Sequence, residues 1–280
     1  MTGPEDHLRK MMNGDLMHDL GTSAGVRIER DGPLLLATLA SAENRNAQSP
    51  ATWRRLAQVQ EFVDASTRVV LLRSEGKSFS AGLDRRMLTP DGVPGEASIL
   101  DLAGKDPAGI EEFITQAQQG FTWWADCEPI TIAVVQGHAI GAGFQLALAC
   151  DLILAGDDAQ FAMRETSLGL VPDLAGSGPL VQRIGYMRAL EACATGRFID
   201  AEEAVRIGLA LAKYPVTALE DAARTLATSL CAAPQGAVRD LKRLLRHATE
   251  ATAQEQLAME RRLQLGRIEE LSRLLNGTGS

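Results

Sequence analysis

The sequence predicts an α/β core followed by a helical C-terminal region. From about residue 24 to 200, short apolar runs typical of buried strands alternate with segments of helical apolar spacing. Beyond about Met187 the strand signal nearly vanishes, and the chain from Ala218 onward is helical in pattern. We therefore predict three parts: a disordered N-terminal extension (1–23), a core in which strand pairs feed single helices (24–200), and a helical region (201–280).

The composition is that of a globular protein and narrows the classes of function. Hydrophobic residues make up 45% of the 280 residues and charged residues 23%, which argues against disorder. The net charge of −8, with no long basic block, argues against a nucleic acid partner. No apolar stretch reaches the roughly 18 residues of a membrane span and no signal peptide is recognisable, so we expect a cytoplasmic protein without membrane contact.

Cysteine and histidine usage predicts no metal. The four cysteines lie far apart without a CxxC pair, and the four histidines do not cluster at ligand spacing. The sequence therefore predicts neither a metal site nor a disulfide framework, and the cysteine usage fits a reducing cytosol.

The elements of the core follow from apolar spacing and from turn residues. Two short strands flank the turn at 31–33, and a helix begins at Ser49, with Pro50 at its first position. The run RVVLLRSE is a buried strand, and GIEEFITQAQQGFTWWADC is a second helix. EPITIAVVQG is another buried strand, and DLILAGDDAQFAM gives a strand, a turn and a strand. Asp200 and Glu203 form a capping box at the first C-terminal helix.

Two loops of small residues each follow a predicted buried strand. They are FSAGLD at 79–84 and GHAIGAG at 137–143. Small residues let backbone N–H groups approach a ligand oxygen, and the second loop opens into a helix whose positive end would face that ligand. Ordinary tight turns are the alternative for either loop alone, and neither matches a dinucleotide fingerprint or a P-loop.

Four motifs, taken together, resemble the crotonase, or enoyl-CoA hydratase/isomerase, superfamily. They occur in the family's order and spacing and read GKSFSAGLD, PITIAVVQGHAIGAGFQLALACDLILA, AQFAMRETSLGLVPDLAGSGPLVQRIG and ATGRFIDAEEAVRIGLA. The resemblance implies an α/β fold, a crotonase-like spiral of ββα units with a helical C-terminal trimerisation region. It also implies an acyl-CoA thioester substrate, no cofactor beyond the coenzyme A of that substrate, and a homotrimer or dimer of trimers.

The resemblance also implies an oxyanion hole and its neighbours. Two backbone amides bind the thioester oxygen in the family, and they correspond here to the N–H groups of Ala81 and Ala142. The family usually has glycine at the second position. Alanine keeps the N–H but adds a Cβ, so the loop must adopt a conformation that alanine allows. The implied substrate-binding residues are Arg45, Ala47, Gly82, Leu83, Asp84 and Gly141. Candidates to bind the CoA phosphates, each with a solvated surface charge as its alternative, are Arg45, Lys77, Arg85 and Arg86.

The acid–base positions bear on the type of reaction. Proton transfer next to a thioester carbonyl needs a carboxylate near the reacting carbon. Two-carboxylate members of the family have glutamates at the positions that correspond here to Gln145 and Glu165. Glutamine can hydrogen-bond a water but cannot accept a proton. Asp173 adds an acid eight residues after Glu165, with a turn residue after Pro172 as its alternative.

We therefore predict double-bond isomerisation of an unsaturated acyl-CoA in preference to hydration. One carboxylate, Glu165 or Asp173, can remove a proton at one carbon and return it at another while the oxyanion hole holds the dienolate. A 2-enoyl-CoA hydratase and a non-catalytic acyl-CoA-binding protein on the same fold are the alternatives. A serine hydrolase is a weaker one, because no Ser–His pair has a motif context.

The C-terminal helices carry one apolar stripe and several cations. The stripe comprises Val238, Leu241, Leu244, Leu245 and Ala248, and we expect it to pack on the core or on a neighbouring subunit. Lys242, Arg243 and Arg246 could reach CoA phosphates across an interface, although a solvated helix face is the favoured interpretation.

Overall fold

The computed structural model describes residues 17–105 and 107–277, which contain ten strands and ten α-helices. The strands are β1 (Met17–Ser23), β2 (Val26–Asp31), β3 (Leu34–Leu39), β4 (Val69–Ser74), β5 (Ile130–Val135), β6 (His138–Ile140), β7 (Leu152–Gly156), β8 (Gln160–Ala162), β9 (Ile199–Asp200) and β10 (Ala212–Tyr214). The helices are α1 (Pro50–Gln58), α2 (Ile99–Lys105), α3 (Pro107–Asp126), α4 (Ala142–Ala149), α5 (Ser177–Ile184), α6 (Tyr186–Thr195), α7 (Ala201–Arg206), α8 (Val216–Ala232), α9 (Gln235–His247) and α10 (Ala253–Gly277).

Two sheets organise these elements into ββα units. The larger sheet has seven strands in the order β1-β2-β3-β4-β5-β7-β10, antiparallel from β1 to β3 and parallel from β3 onward. The smaller has the order β6-β8-β9. In the units β5-β6-α4 and β7-β8-α5, the first strand lies in the larger sheet and the second in the smaller. The repeated ββα arrangement is the one that the sequence predicted.

The central strands are buried on both faces, which explains their unbroken apolar runs. Since successive side chains point to opposite faces, alternate residues of β3, β4, β5 and β7 divide between two cores. One face packs against α8 through Leu219, Ala223 and Ala227. The other faces α1, α3 and α4 and forms the larger core, which includes Trp53, Phe121, Trp124 and Phe144.

The start of α1 follows the sequence prediction closely. The Ser49 hydroxyl accepts the Thr52 N–H at 3.4 Å, and the Thr52 hydroxyl accepts the Ser49 N–H at 3.3 Å. Pro50 is the first helical residue. Trp53 then packs edge-on against Phe113 of α3, with ring centroids 6.1 Å apart. This contact joins α1 to α3, which forms one wall of the site.

The crossing from the larger to the smaller sheet requires glycine at 137. Gly137 has φ +55°, and a Cβ built on it would lie 2.0 Å from the Lys77 carbonyl oxygen. The chain then forms β6, and Ser80 of the first small-residue loop bridges Ala139 in parallel. The two loops predicted to act together therefore lie side by side.

Two of the predicted boundaries are corrected. Residues 17–23, assigned to a disordered extension, form β1 and pair antiparallel with β2, while residues 1–16 lie outside the described residues. The predicted helical region contains β10, which adds to the edge of the larger sheet beside β7. None of the helices in the described ranges is long and apolar enough to cross a membrane.

Candidate active site

A cavity of about 930 Å³ lies between the two small-residue loops, α3 and the segment 164–174. All of the predicted catalytic, oxyanion-hole and substrate-binding residues line it. They are Arg45, Ala47, Ala81, Gly82, Leu83, Asp84, Gly141, Ala142, Gln145, Glu165 and Asp173. Residues about 130 positions apart in the sequence therefore surround one space.

The first loop presents a different backbone donor from the one predicted. The Ala81 N–H donates to the Arg45 carbonyl oxygen at 2.9 Å, so it is not available to a ligand. Three neighbouring N–H groups also have acceptors within the chain, namely those of Ser80, Gly82 and Asp84. In this loop the Leu83 N–H is the one without an acceptor among the described residues. The assignment of Ala81 is therefore wrong, and Leu83 is the donor that this loop offers to the cavity.

The second loop ends at the N-terminus of α4. Ala142 is the first residue of that helix, where backbone N–H groups have no partner within the helix and carry partial positive charge. Glycine at 82 allows the first loop to approach, because a Cβ there would lie 2.4 Å from the Ile140 carbonyl oxygen and 3.5 Å from the Ala142 nitrogen. The Leu83 and Ala142 N–H groups thus belong to touching loops that line the same cavity.

Gln145 is buried one turn into α4, and all of its polar atoms have partners. Its Oε1 accepts the N–H groups of Leu174, at 2.9 Å, and Gly176, at 3.3 Å. Its Nε2 donates to Glu165 Oε1 at 2.7 Å. The side chain therefore connects α4 to both acid-bearing segments, and it has no basic atom to offer a substrate.

Glu165 begins the short 3₁₀ helix Glu165–Leu168, and its carboxylate lies against the second loop. A Cβ built on Gly141 would be 3.2 Å from Glu165 Oε1, so glycine at 141 leaves space for the carboxylate. Burial raises the pKa of Glu165, and the negative charge of Asp173 raises it further, whereas the Gln145 hydrogen bond lowers it. Glu165 Oε2 is buried and has no hydrogen-bond partner among the described residues. A carboxylate with one unoccupied oxygen and a raised pKa can act as a general base.

Asp173 lies across the cavity on the loop before α5. Its side chain keeps contact with solvent, but the surrounding walls remove enough water to raise its pKa. Its backbone carbonyl accepts Gln118 Nε2 of α3 at 2.7 Å, which ties this loop to α3. The cavity therefore holds two carboxyl groups of raised pKa, an arrangement that can keep one protonated and one ionised.

The candidate phosphate-binding cations fall into two groups. Arg45 and Arg85 line the cavity and have no ion-pair partner within the described ranges. Arg86 also lines it, but its Nη2 lies 2.7 Å from Asp84 Oδ2, and this hydrogen-bonded guanidinium lowers the pKa of Asp84. Lys77 is not part of the lining. The structure therefore favours Arg45 and Arg85 over Lys77.

Both interpretations of Lys242, the favoured solvated helix face and the contact with CoA phosphates, are corrected. Lys242 is buried, and its Nζ lies 2.7 Å from Asp151 Oδ2 and 2.8 Å from the Pro129 carbonyl oxygen. Arg246 pairs with Asp126 at 2.7 Å. The face of α9 that packs on the chain is thus polar, whereas Leu241 and Leu245 of the predicted apolar stripe remain exposed.

One wall of the cavity has no residue that the sequence interpretation named. It consists of one face of α3, with Ile110, Phe113, Ile114 and Ala117. Their i, i+3, i+4, i+7 spacing was a signal for an apolar helix face, but it does not distinguish a ligand wall from a core contact. The wall is uncharged and ends one residue before Gln118, the partner of the Asp173 loop. No cluster of potential metal ligands occurs among the described residues.

The cavity is lined by two backbone N–H donors and by two carboxyl groups. This combination is typical of an enzyme that transfers protons next to a carbonyl group. The chain belongs to the enoyl-CoA hydratase/isomerase family, whose model matches residues 29–274. It is similar to the carnitinyl-CoA dehydratase of Citrobacter koseri, with 34% identity over 83% of this chain and 84% of that one. The protein is thus an acyl-CoA enzyme of this family.

Two further comparisons support the same conclusion. The 2,3-dehydroadipyl-CoA hydratase of Escherichia coli K12 is 30% identical over 84% of this chain and 87% of its own length. The crystal structure of a Thermobifida fusca YX protein in complex with acetoacetyl-CoA superposes with a TM-score of 0.85. That protein is 39% identical, with 88% of this chain and 96% of the other covered. The predicted fold class and superfamily are confirmed.

Proposed function

We propose that the protein isomerises 3-enoyl-CoA to 2-enoyl-CoA, with Glu165 as the proton carrier. The observation that supports this reaction is that α4 presents Gln145, and not a carboxylate, to Glu165. Both ends of the Gln145 amide are hydrogen-bonded within the chain. Isomerisation needs one group that takes a proton from one carbon and returns it to another. Hydration needs one group to activate a water and a second group to deliver a proton. Glutamine at position 145 cannot accept or deliver that proton, so this site is less suited to hydration.

The proposed mechanism begins with the thioester oxygen in the hole formed by the Leu83 and Ala142 N–H groups. The Glu165 carboxylate removes a proton from C2 of the substrate, and the electron pair moves into the carbonyl to give a dienolate. The two N–H groups stabilise the negative oxygen without reorganisation. Glu165 then returns the proton to C4, which leaves the double bond between C2 and C3.

The surroundings of the carboxylates suggest an apolar acyl group. The uncharged face of α3 lies next to the Asp173 loop, so it would contact the chain beyond the reacting carbons. Leu170 and Val171 line the cavity on the same loop. Arg45 and Arg85 flank the first loop instead, where they would meet the CoA phosphates.

Hydration of 2-enoyl-CoA is the second candidate, and it is favoured by the names of the relatives. The two curated relatives described above are a dehydratase and a hydratase. In this reaction one of Glu165 and Asp173 would act as the general base that activates water, and the other as the general acid that donates a proton. Their raised pKa values are compatible with that division.

A two-substrate assay separates these functions. We expect 3-octenoyl-CoA to be isomerised faster than 2-octenoyl-CoA is hydrated, by about tenfold or more, since general acid–base groups contribute roughly 10²–10⁴-fold each. The absorbance of the conjugated enoyl thioester reports both reactions, because isomerisation creates it and hydration removes it. Fast hydration without isomerisation would contradict the proposal. Binding without either reaction would indicate a non-catalytic acyl-CoA-binding protein.

We also propose that the chain forms a homotrimer or a dimer of trimers. Large apolar side chains on α9 and α10 are more than half exposed, and they are Leu241, Leu245, Leu265, Ile268 and Leu271. Exposed apolar surface of this extent is typical of a subunit interface. Light scattering is expected to give three or six times the 30.0 kDa chain mass. Ile268→Glu should reduce that mass, and a wild-type monomer would contradict the proposal.

A further inference from the structure

We propose that Gln145 is a positioning residue that fixes the orientation of the Glu165 carboxylate through a hydrogen bond to Oε1. The proposal rests on the role of Glu165 as the proton carrier. It assigns to Gln145 a task other than the one that a glutamate at this position performs in two-carboxylate members of the family. Gln145 acts through Glu165 and need not contact the substrate.

The orientation of the Gln145 amide follows from its surroundings. Two backbone N–H groups, of Leu174 and Gly176, point at one end of the amide, so that end must be the oxygen. The NH₂ group is thereby directed to Glu165 Oε1, 2.7 Å away. The side chain is also wedged, because a Cβ built on Gly176 would lie 2.6 Å from Gln145 Cγ. With 1% of its surface exposed, Gln145 is held in one arrangement.

This arrangement makes the two oxygens of Glu165 inequivalent. Oε1 accepts the Gln145 Nε2–H and lies against Gly141. Oε2 has no partner among the described residues. The hydrogen bond to Oε1 therefore holds the carboxylate in one orientation, while Oε2 keeps its capacity to accept a proton. A hydrogen bond donated to a carboxylate also favours its ionised form, which opposes the effect of burial at Glu165.

Other ionisable groups near Glu165 do not provide this anchor. Asp173 is an acid across the cavity and raises the Glu165 pKa. Cys193 of α6 is a partly buried thiol whose own pKa is raised by burial and by the charge of Glu165. Arg164 precedes Glu165, but its guanidinium stacks over the Phe198 ring, 5.7 Å from the centroid. Among these side chains, Gln145 is thus the one that donates a hydrogen bond to the Glu165 carboxylate.

The isosteric variant Gln145→Glu tests the proposal. One oxygen of the new carboxylate can still accept the Leu174 and Gly176 N–H groups, so the loop should keep its place. The other oxygen would face Glu165 Oε1 at about the 2.7 Å separation of the present hydrogen bond, and two carboxylates so close share one proton. We expect the acidic limb of the pH profile of kcat/KM to move to higher pH by about one unit or more, a roughly tenfold loss of activity on that limb.

Gln145→Met is the second variant, and it separates positioning from folding. It keeps the bulk but removes all three hydrogen bonds, so we expect a lower Tm together with a smaller upward shift of the same limb. Asp173→Asn serves as the control that removes a charge without touching the anchor. The proposal is wrong if Gln145→Glu has the wild-type Tm and its pH profile superimposes on that of the wild type. In that case the only role of Gln145 is to hold the 174–176 loop.

A readout without turnover keeps this test separate from the test of the proposed function. The carboxyl band of Glu165 can be assigned in infrared spectra by subtraction of Glu165→Gln, and then titrated in the wild type and in Gln145→Glu. We expect its midpoint to rise in the variant even if neither enoyl-CoA is turned over. An unchanged midpoint would overturn the positioning role, whereas inactivity of the wild type would overturn the proposed reaction only.

Discussion

Replacement of Glu165 by glutamine is expected to lower kcat for enoyl-CoA turnover by about 10²–10⁴-fold, the contribution of a positioned general base. The amide keeps the shape of the side chain but cannot accept a proton. Binding should be nearly unchanged, because the thioester oxygen and the CoA phosphates meet other groups. Steady-state kinetics with 3-octenoyl-CoA and calorimetric titration with octanoyl-CoA measure the two effects separately.

Asp173→Asn is the matched control for that experiment, since it removes the other carboxylate of the same cavity. We expect a smaller loss of kcat, because Asp173 keeps contact with solvent and affects Glu165 mainly through its charge. If Glu165→Gln is fully active and Asp173→Asn is inactive, Asp173 and not Glu165 is the general base. The comparison therefore decides between the two acids that the sequence left open.

The pH dependence of stability shows whether Glu165→Gln remains folded. Burial raises the pKa of Glu165, so its contribution to stability is complete at low pH and is lost as the pH rises through that pKa. The glutamine does not titrate and should be at least as stable as the wild type at neutral pH. A lower Tm of the variant at neutral pH would show that the substitution damages the fold and that the kinetic loss has another cause.

The sequence predicted the central sheet well and its edges poorly. Strands such as β4 and β5 are buried on both faces, so their apolar runs are unambiguous. The segment MHDLGTS of β1 and the three residues of β10 lie at the two edges of the larger sheet. An edge strand buries less side-chain surface and obtains part of its stability from backbone hydrogen bonds, which leave little trace in composition.

The same distinction applies to the site. The approach of Gln145 and Glu165 could be predicted, because the family resemblance places both positions at one reaction centre. The donor at Leu83 could not, since any residue of a small-residue loop has an N–H and only its direction matters. The Arg45 carbonyl decides that direction by accepting the Ala81 N–H, and this contact between residues 36 apart has no signature in either segment.

Ala142→Pro tests the oxyanion hole by the removal of one N–H group. We expect kcat/KM to fall by about 10²–10³-fold, the usual effect of the loss of one donor of this kind. The first position of a helix is where proline is tolerated best, since its missing N–H has no partner within the helix. The hydrogen bonds from the Gly141 N–H to Ala162 and from the Gln145 N–H to Gly141 do not involve the Ala142 nitrogen and can persist.

Ala142→Gly is the matched control, because it also changes the side chain at this position but keeps the N–H. It should retain kcat/KM within a few fold and lose at most about 1 kcal/mol of stability, the usual penalty of glycine against alanine in a helix. Circular dichroism confirms that both variants fold. If the proline variant folds and works as well as the glycine variant, the helix N-terminus does not bind the thioester oxygen. The negative charge of the dienolate would then have to be stabilised by the Leu83 N–H alone, and the proposed mechanism would lose its second donor.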